Sequence, residues 1–411
     1  MLSCQVLIRQ VVFATAFSLP CALGVQAQTY TVIHNFGGSG DGSQPDSPLT
    51  IDPAGNLYGS TIQGGSGQYG TVFQLSPNGN GTWNESILYN FDSSGDRPGG
   101  TLALDVHGNL YGASSGDDSQ TFGTVYELSS NGNGNWTREI IHSFTNGLDG
   151  GNPGPVVVAN SNQIYGVCDS GETRHLGFVF AFDRLSVASW YELFLHTFTG
   201  GDDGEYPGSP FTPDGAGNLY GVSGGGLYGQ GTVFKLTPNR HSFGWSKTLV
   251  YAFQYPYGTP QEPFLMDSTG NLYGAGREDG TQGWGTIHKL SPNSDGTWTF
   301  TVLYDFKGAN NGDGAYPDAN LVMDAAGNIY GATSQGGSTN GTDCMYVGCG
   351  TIFKLTPSSN GQWTETILYE FNDTSGGWQP NGGLIADRAS NLYGVTAYGG
   401  TNRGVAFEFI P

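Results

Sequence analysis

Apolar residues along this chain come in short runs that alternate with polar positions, and each run is cut by Gly, Pro, Asn or Asp. Leu57-Tyr58, Thr71-Val72-Phe73-Gln74-Leu75 and Ser86-Ile87-Leu88-Tyr89-Asn90-Phe91 are examples. Runs of this length and alternation are strand patterns. No stretch sustains a 3.6-residue apolar period, so helices are not expected. The separators carry turn chemistry, as in Asp52-Pro53-Ala54-Gly55, Gly64-Gly65-Ser66-Gly67 and Pro77-Asn78-Gly79-Asn80-Gly81.

The strand pattern repeats. Asn-Leu-Tyr-Gly or a close variant begins at Asn56, Asn109, Gln163, Asn218, Asn271, Asn328 and Asn391, in steps of 53, 54, 55, 53, 57 and 63 residues. Other markers keep step with it. A proline lies 10 or 11 residues ahead: Pro45, Pro98, Pro153, Pro207, Pro260, Pro317 and Pro380. An aspartate lies four residues ahead in six units (Asp52, Asp105, Asp214, Asp267, Asp324, Asp387), with Ala159 the exception. A Gly-Thr-Val-Phe-like strand follows, as at Gly70–Phe73 and Gly231–Phe234. A tryptophan eight residues before a phenylalanine ends each of the first six units, from Trp83/Phe91 to Trp363/Phe371.

Each unit therefore holds four short strands, and four-stranded units in tandem predict a β-propeller. The seventh unit ends at Phe407-Glu408-Phe409-Ile410 with only three strands. Residues 30–36, Tyr-Thr-Val-Ile-His-Asn-Phe, match the missing fourth strand. The expectation is an all-β, seven-bladed β-propeller of four-stranded antiparallel blades over residues 28–411, with the N-terminal strand closing the last blade.

The units resemble the Gloeobacter/Verrucomicrobia-type (GloVer) tandem repeat of bacterial exported proteins. Asn-Leu-Tyr-Gly, Gly-Thr-Val-Phe and Leu303-Tyr304-Asp305-Phe306 carry the resemblance. It implies a propeller related in architecture to kelch and galactose-oxidase-type rings. It implies no activity and no catalytic residue.

Composition places the ring outside the cell. Arg9 is the only charge before residue 41; an apolar stretch, Val11 to Val25, follows it and ends at Val25-Gln26-Ala27. Residues 1–27 read as a signal peptide, with a membrane anchor as the alternative. No later run is long and apolar enough to span a bilayer, and a secreted, extracellular or periplasmic monomer is expected. Without Arg9 the chain has 13 basic and 35 acidic residues, a net charge of −22, which disfavours nucleic acid as a partner. Export permits a disulfide, and Cys344 and Cys349, in one loop, are the candidates; Cys168 reads as a buried thiol.

Residues shared by every unit are explained by the fold, so function is sought where units differ. The turn after strand two and the crossover between units share one face. The residue before the third-strand glycine varies there: Tyr69, Phe122, Leu176, Gln230, Trp284, Cys349 and Arg403. So does the residue before each proline, including Tyr206 and Tyr316. Trp284 and Trp378 are the two tryptophans outside the repeat. Aromatics beside neutral hydrogen-bonding groups suit a glycan; the alternative is that they only cover the loop layer. Asp117, Asp118, Glu172, Arg174, His175, Arg277, Glu278, Asp279 and Arg403 add charge to this face. Carboxylates beside Arg or His could do acid–base work in a glycosidase or lyase.

No metal or cofactor site is expected. His34, His142 and His196 replace the fourth-strand tyrosine and stand on separate rims. Asp41, Asp149, Asp203 and Asp313 lie in crossovers and read as turn formers rather than calcium ligands. Nor is there a nucleophile elbow or a phosphate-binding loop. The expected function is a non-catalytic binding or scaffold module for a polysaccharide or an extracellular protein, with a carbohydrate-active enzyme as the alternative.

Overall fold

The computed structural model describes residues 28–93, 96–116, 121–160, 162–170, 176–186, 189–208, 210–239, 244–258, 260–318, 320–339, 344, 346–372, 376–400 and 403–411. The expected leader, residues 1–27, lies outside these. The described chain forms seven antiparallel sheets, and two single 3-10 turns, Gly201–Asp203 and Ala309–Asn311, are the helical elements among the described residues. No helix among the described residues is long and apolar enough to cross a membrane. Blade one runs Gly42–Pro45 and Thr50–Ile51, Leu57–Gly64, Thr71–Pro77, then Trp83–Asn90. The next five blades repeat this order. Blade seven has Trp378–Ala386, Leu392–Tyr398 and Val405–Ile410, and its fourth strand is Thr29–Asn35 from the N-terminus.

The innermost strand is longer than its sequence pattern suggests. It already includes the marker proline rather than starting near Leu49, and is either split, as in blade one, or continuous with a register shift, as in Trp378–Ala386. The proline lacks an N–H, which the ladder tolerates because the innermost strand is the edge of its sheet.

The repeated residues stitch blade to blade. A Cβ on the third-strand glycine would meet the marker proline of the next blade in all seven cases, from Gly70 against Pro98 round to Gly404 against Pro45. The same glycine carbonyl accepts the N–H of the closing phenylalanine, at 3.0 Å for Phe91 to Gly70 and 3.1 Å for Phe36 to Gly404. Within the blade, Asp52 accepts the Asn56 N–H and side-chain amide (2.9 and 2.7 Å) and the Tyr58 hydroxyl (3.1 Å). That explains the spacing of Asp, Asn and Tyr. In the unit lacking the aspartate, Tyr165 donates to Gln163 instead and Gln163 donates to Asp183. The Asn-Leu-Tyr-Gly glycine is needed for space: a Cβ at Gly59 would lie 2.6 Å from the Phe73 ring.

Seven hydrophobic clusters fill the seven junctions between neighbouring blades. The repeated tryptophans lie across them, as in Trp83 edge-on to Tyr393 at 5.8 Å and Trp245 edge-on to Tyr165 at 5.6 Å.

Further out, each junction joins three positions: the fourth-strand Tyr or His, the crossover Asp, and the residue two past the next tryptophan. Arg138 answers Asp96 at 2.8 Å, and Lys247 answers Asp203 at 2.8 Å. Where the crossover aspartate is missing, rings stack instead: Tyr251 on Phe300 at 5.1 Å and Tyr369 on Tyr30 at 4.1 Å. Elsewhere the third residue is a glutamate. Burial first, then the charge of Asp149 or Asp313, pushes Glu192 and Glu365 up to about 7 from 4.5. The folded state then holds more protons than the unfolded chain between those values. Its stabilising effect is complete below about pH 4.5 and fades as pH rises through 7. Urea midpoints are therefore expected to fall across this window. Glu192→Gln with Glu365→Gln should flatten the fall, and a matched neutralisation of exposed Asp202 should not; equal slopes in both would refute the assignment.

Candidate functional site

The inner strands do more than close the ring. The residues one to three past each marker proline line a cavity of about 570 Å³ on the axis, to which all seven blades contribute. Most of the lining is Gly, Pro and Ser, which keeps the space open. A few larger polar groups stand out against it: Asp46, Arg277, Asp318, Asn320 and Asn381, joined by Tyr206 and Gln230 at the mouth. The mouth opens on the face that carries the strand-two turns and the crossovers.

Asp318 and Arg277 form the charged pair of this cavity. Arg277 Nη1 lies 3.3 Å from Asp318 Oδ1, and its Nη2 donates to the Ser334 hydroxyl at 3.2 Å. Burial raises the Asp318 carboxyl to about 7, outweighing the opposing arginine charge. Asp318 Oδ2 is buried and has no hydrogen-bond partner. Burial also raises Asp46, more than its Ser47 contact lowers it. The asparagines are partly committed to backbone: Asn320 donates to the Gly382 carbonyl at 2.8 Å and Asn381 to the Asp46 carbonyl at 3.3 Å. Tyr206 is 54% exposed, an aromatic surface at the rim. Its φ of 48° is held from behind, where its N–H donates to the Leu176 carbonyl of blade three.

The same backbone bond explains why two sequence positions vary. Asn152 donates to Phe122, Tyr316 to Trp284, Gln379 to Cys349 and Gln44 to Arg403, each at 2.8 Å. The stitch uses only main-chain atoms, so it dictates neither side chain.

Of the residues singled out from sequence, Arg277 reaches the axial cavity. Trp284 does not; it sits over the junction of blades five and six, edge-on to Tyr316 at 5.5 Å. Trp378 stacks on Tyr398 at 4.4 Å and packs on the junction of blades six and seven. Tyr69 and Phe122 lie in the same way over the junctions of blades one and two and of blades two and three. Arg403 lines a separate cleft of about 460 Å³ with Arg97 and Asp41. Glu278 and Asp279 line another of about 300 Å³. Asp279 is buried, and its carboxylate accepts the Thr286 hydroxyl at 2.9 Å and the Gly258 N–H at 3.2 Å. Arg174, His175, Asp117, Asp118 and Glu172 lie outside the described residues. Cys344 and Cys349 form a disulfide with a Cα–Cα distance of 5.2 Å, and Cys168 is buried. Sequence reasoning passed over Asp46, Asp318, Asn320 and Asn381. Their signal was variation just after the proline, where blades two, three and four carry Gly99, Gly154 and Gly208.

The Gloeobacter/Verrucomicrobia repeat model matches the chain in four overlapping stretches, residues 21–138, 85–263, 133–344 and 223–411. No curated protein matches the sequence. Among solved structures, an ulvan lyase of polysaccharide lyase family PL25 covers 89% of this chain and 92% of its own at 11% identity, with a TM-score of 0.53. A second structure of such a lyase, bound to GlcA(1-4)Rha3S, gives 0.52 over the same shares at 11% identity. A prolyl endopeptidase covers 86% of this chain but 45% of its own at 11% identity, with a TM-score of 0.51. At such identities the likeness is one of fold.

Proposed function

The chain belongs to the Gloeobacter/Verrucomicrobia repeat family, and from that premise we propose an exported β-propeller that binds a glycan at the mouth of its axial cavity without cleaving it. Residues 1–27 serve as the export signal in this reading, and the ring acts as a monomer at the cell exterior. The observation that carries it is the axial cavity itself. It gathers polar side chains that the ring does not require, beside the exposed Tyr206 ring and the unpaired Asp318 Oδ2. Few convergent polar groups in a concave space are the ordinary make-up of a ligand site. An aromatic face with hydroxyl-gripping Asn, Gln and Asp fits a sugar ring better than an apolar ligand.

The test is a glycan array followed by calorimetry and mass spectrometry of the best-bound glycan. Arg277→Ala, or Tyr206→Asn (the residue that blade three carries at that position), should weaken binding at least about tenfold, worth about 1.4 kcal/mol. The glycan mass should not change. Trp284→Ala and Trp378→Ala should leave affinity unchanged. Binding indifferent to Arg277 and Tyr206 would refute the site.

A catalytic reading rests on one further observation: Asp318 is held near 7, where a carboxyl can both give and take a proton. A shortened glycan whose production stops in Asp318→Asn would assign the cavity to a glycosidase or lyase.

A further inference from the structure

The junction that closes the ring carries the same residue types as the junction of blades two and three, where His142, Asp149 and Glu192 meet, but brings them closer together. His34 belongs to the N-terminal strand, Asp41 to the crossover after it, and Glu85 to the outer strand of blade one. His34 Nε2 lies 3.2 Å from Asp41 Oδ2 and 3.6 Å from Glu85 Oε1. One donor atom from each of the three lies within 4.8 Å of the others, the one such group among the described residues. The side chains are 18%, 8% and 17% exposed, so the pocket is nearly dry but reachable.

We propose that His34, Asp41 and Glu85 bind one first-row divalent cation of the zinc(II) type, which fastens the N-terminal strand to blade one.

Two observations besides proximity point to a ligand. Asp41 Oδ1 and Glu85 Oε1 are buried, receive no N–H or hydroxyl, and belong to two carboxyls that face each other with no Lys or Arg among the three side chains. Buried oxygens ordinarily have a partner. Two sister junctions show an alternative solution, with Arg138 or Lys247 supplying positive charge beside the aspartate, whereas two others carry Glu192 or Glu365 there, whose Oε1 is likewise unpartnered. The two distances from His34 Nε2, 3.2 and 3.6 Å, agree as well. A tetrahedral ion with ligands at about 2.0–2.2 Å holds its donors about 3.3–3.6 Å apart. One imidazole nitrogen with two carboxylates suits zinc, whereas calcium and magnesium prefer all-oxygen sets. The Gly37 and Gly38 N–H groups, at 2.9 and 3.3 Å from Asp41 Oδ2, orient that carboxylate from behind. The three histidines do stand on separate rims. Carboxylates brought in by the crossover and the next blade are what complete the set.

The experiment uses the full purified chain, stripped with EDTA and dialysed against zinc(II). One bound zinc per chain is expected, with the melting temperature raised by several degrees. His34→Tyr is the informative variant, because four sister blades carry tyrosine at this position (Tyr89, Tyr251, Tyr304, Tyr369). It should fold and melt as the EDTA-treated parent does, yet bind no zinc. Glu85→Gln should weaken binding at least about tenfold, and His142→Tyr should leave it intact. Absence of stoichiometric zinc in the parent, or equal zinc in His34→Tyr, overturns the proposal.

Discussion

Deleting residues 28–36 is expected to abolish the single cooperative unfolding transition of this ring. That segment is the fourth strand of blade seven, paired with Val405–Ile410 from Thr29 opposite Ile410 to Asn35 opposite Val405. Phe36 is fully buried and its N–H is bonded to Gly404. Tyr30 stacks on Tyr369 at 4.1 Å and donates its hydroxyl to the Gly376 carbonyl. Burying one such ring is worth about 1.5–3 kcal/mol, and the segment buries more than one. Its loss also bares the edge of Val405–Ile410, a template for aggregation. The sum is comparable with the ~5–15 kcal/mol that holds a typical domain together. Thermal melts followed by circular dichroism, with hydrogen exchange on residues 378–410, check this. A peptide of residues 28–37 added in trans should restore protection in blade seven. A truncated chain that melts as sharply and as high as the parent would refute ring closure as the source of stability.

The second large effect is expected at Arg138. Its side chain is 8% exposed, and its guanidinium is 2.8 Å from Asp96, donates to Thr124 at 2.7 Å, and lies 4.8 Å from the Tyr126 ring centre. Arg138→Met should cost about 3–5 kcal/mol, because it leaves Asp96 buried without its partner. Removing both charges should cost far less. Blades four and five supply the template: Gly258 stands at the aspartate position there, and Tyr251 and Phe300 stack. The double change Asp96→Gly with Arg138→Phe should therefore recover most of the loss in chemical denaturation. If the single and double variants are equally unstable, packing rather than the ion pair explains the junction.

Blade count and blade order were legible because repetition averages out local ambiguity. One Asn-Leu-Tyr-Gly is a weak signal, but seven in step with Pro, Asp, Gly and Trp admit one architecture. The same regularity hid the candidate site. Trp284 and Trp378 catch the eye as departures from the repeat, yet both are absorbed by blade junctions. Asp46 and Asp318 follow a conspicuous proline and look like turn residues, and their burial on the axis depends on six other blades. Arg277 was legible as an unusual charge, and its buried partner was not, because the pair is separated by 41 residues and by one blade.

The sequence by itself determined the strands, their number, the ring, and the N-terminal segment that closes it. Each of these follows from local alternation, turn chemistry and pattern matching between units. Tertiary structure decided which variable residues meet. A propeller brings the same position of every blade to one axis and the ends of neighbouring blades to one junction. Contacts there join residues some 40 to 60 positions apart, as in Arg138 with Asp96, Lys247 with Asp203 and Glu85 with His34. No local pattern encodes those meetings, and the cavity, the buried charges and the candidate cation site all arise from them.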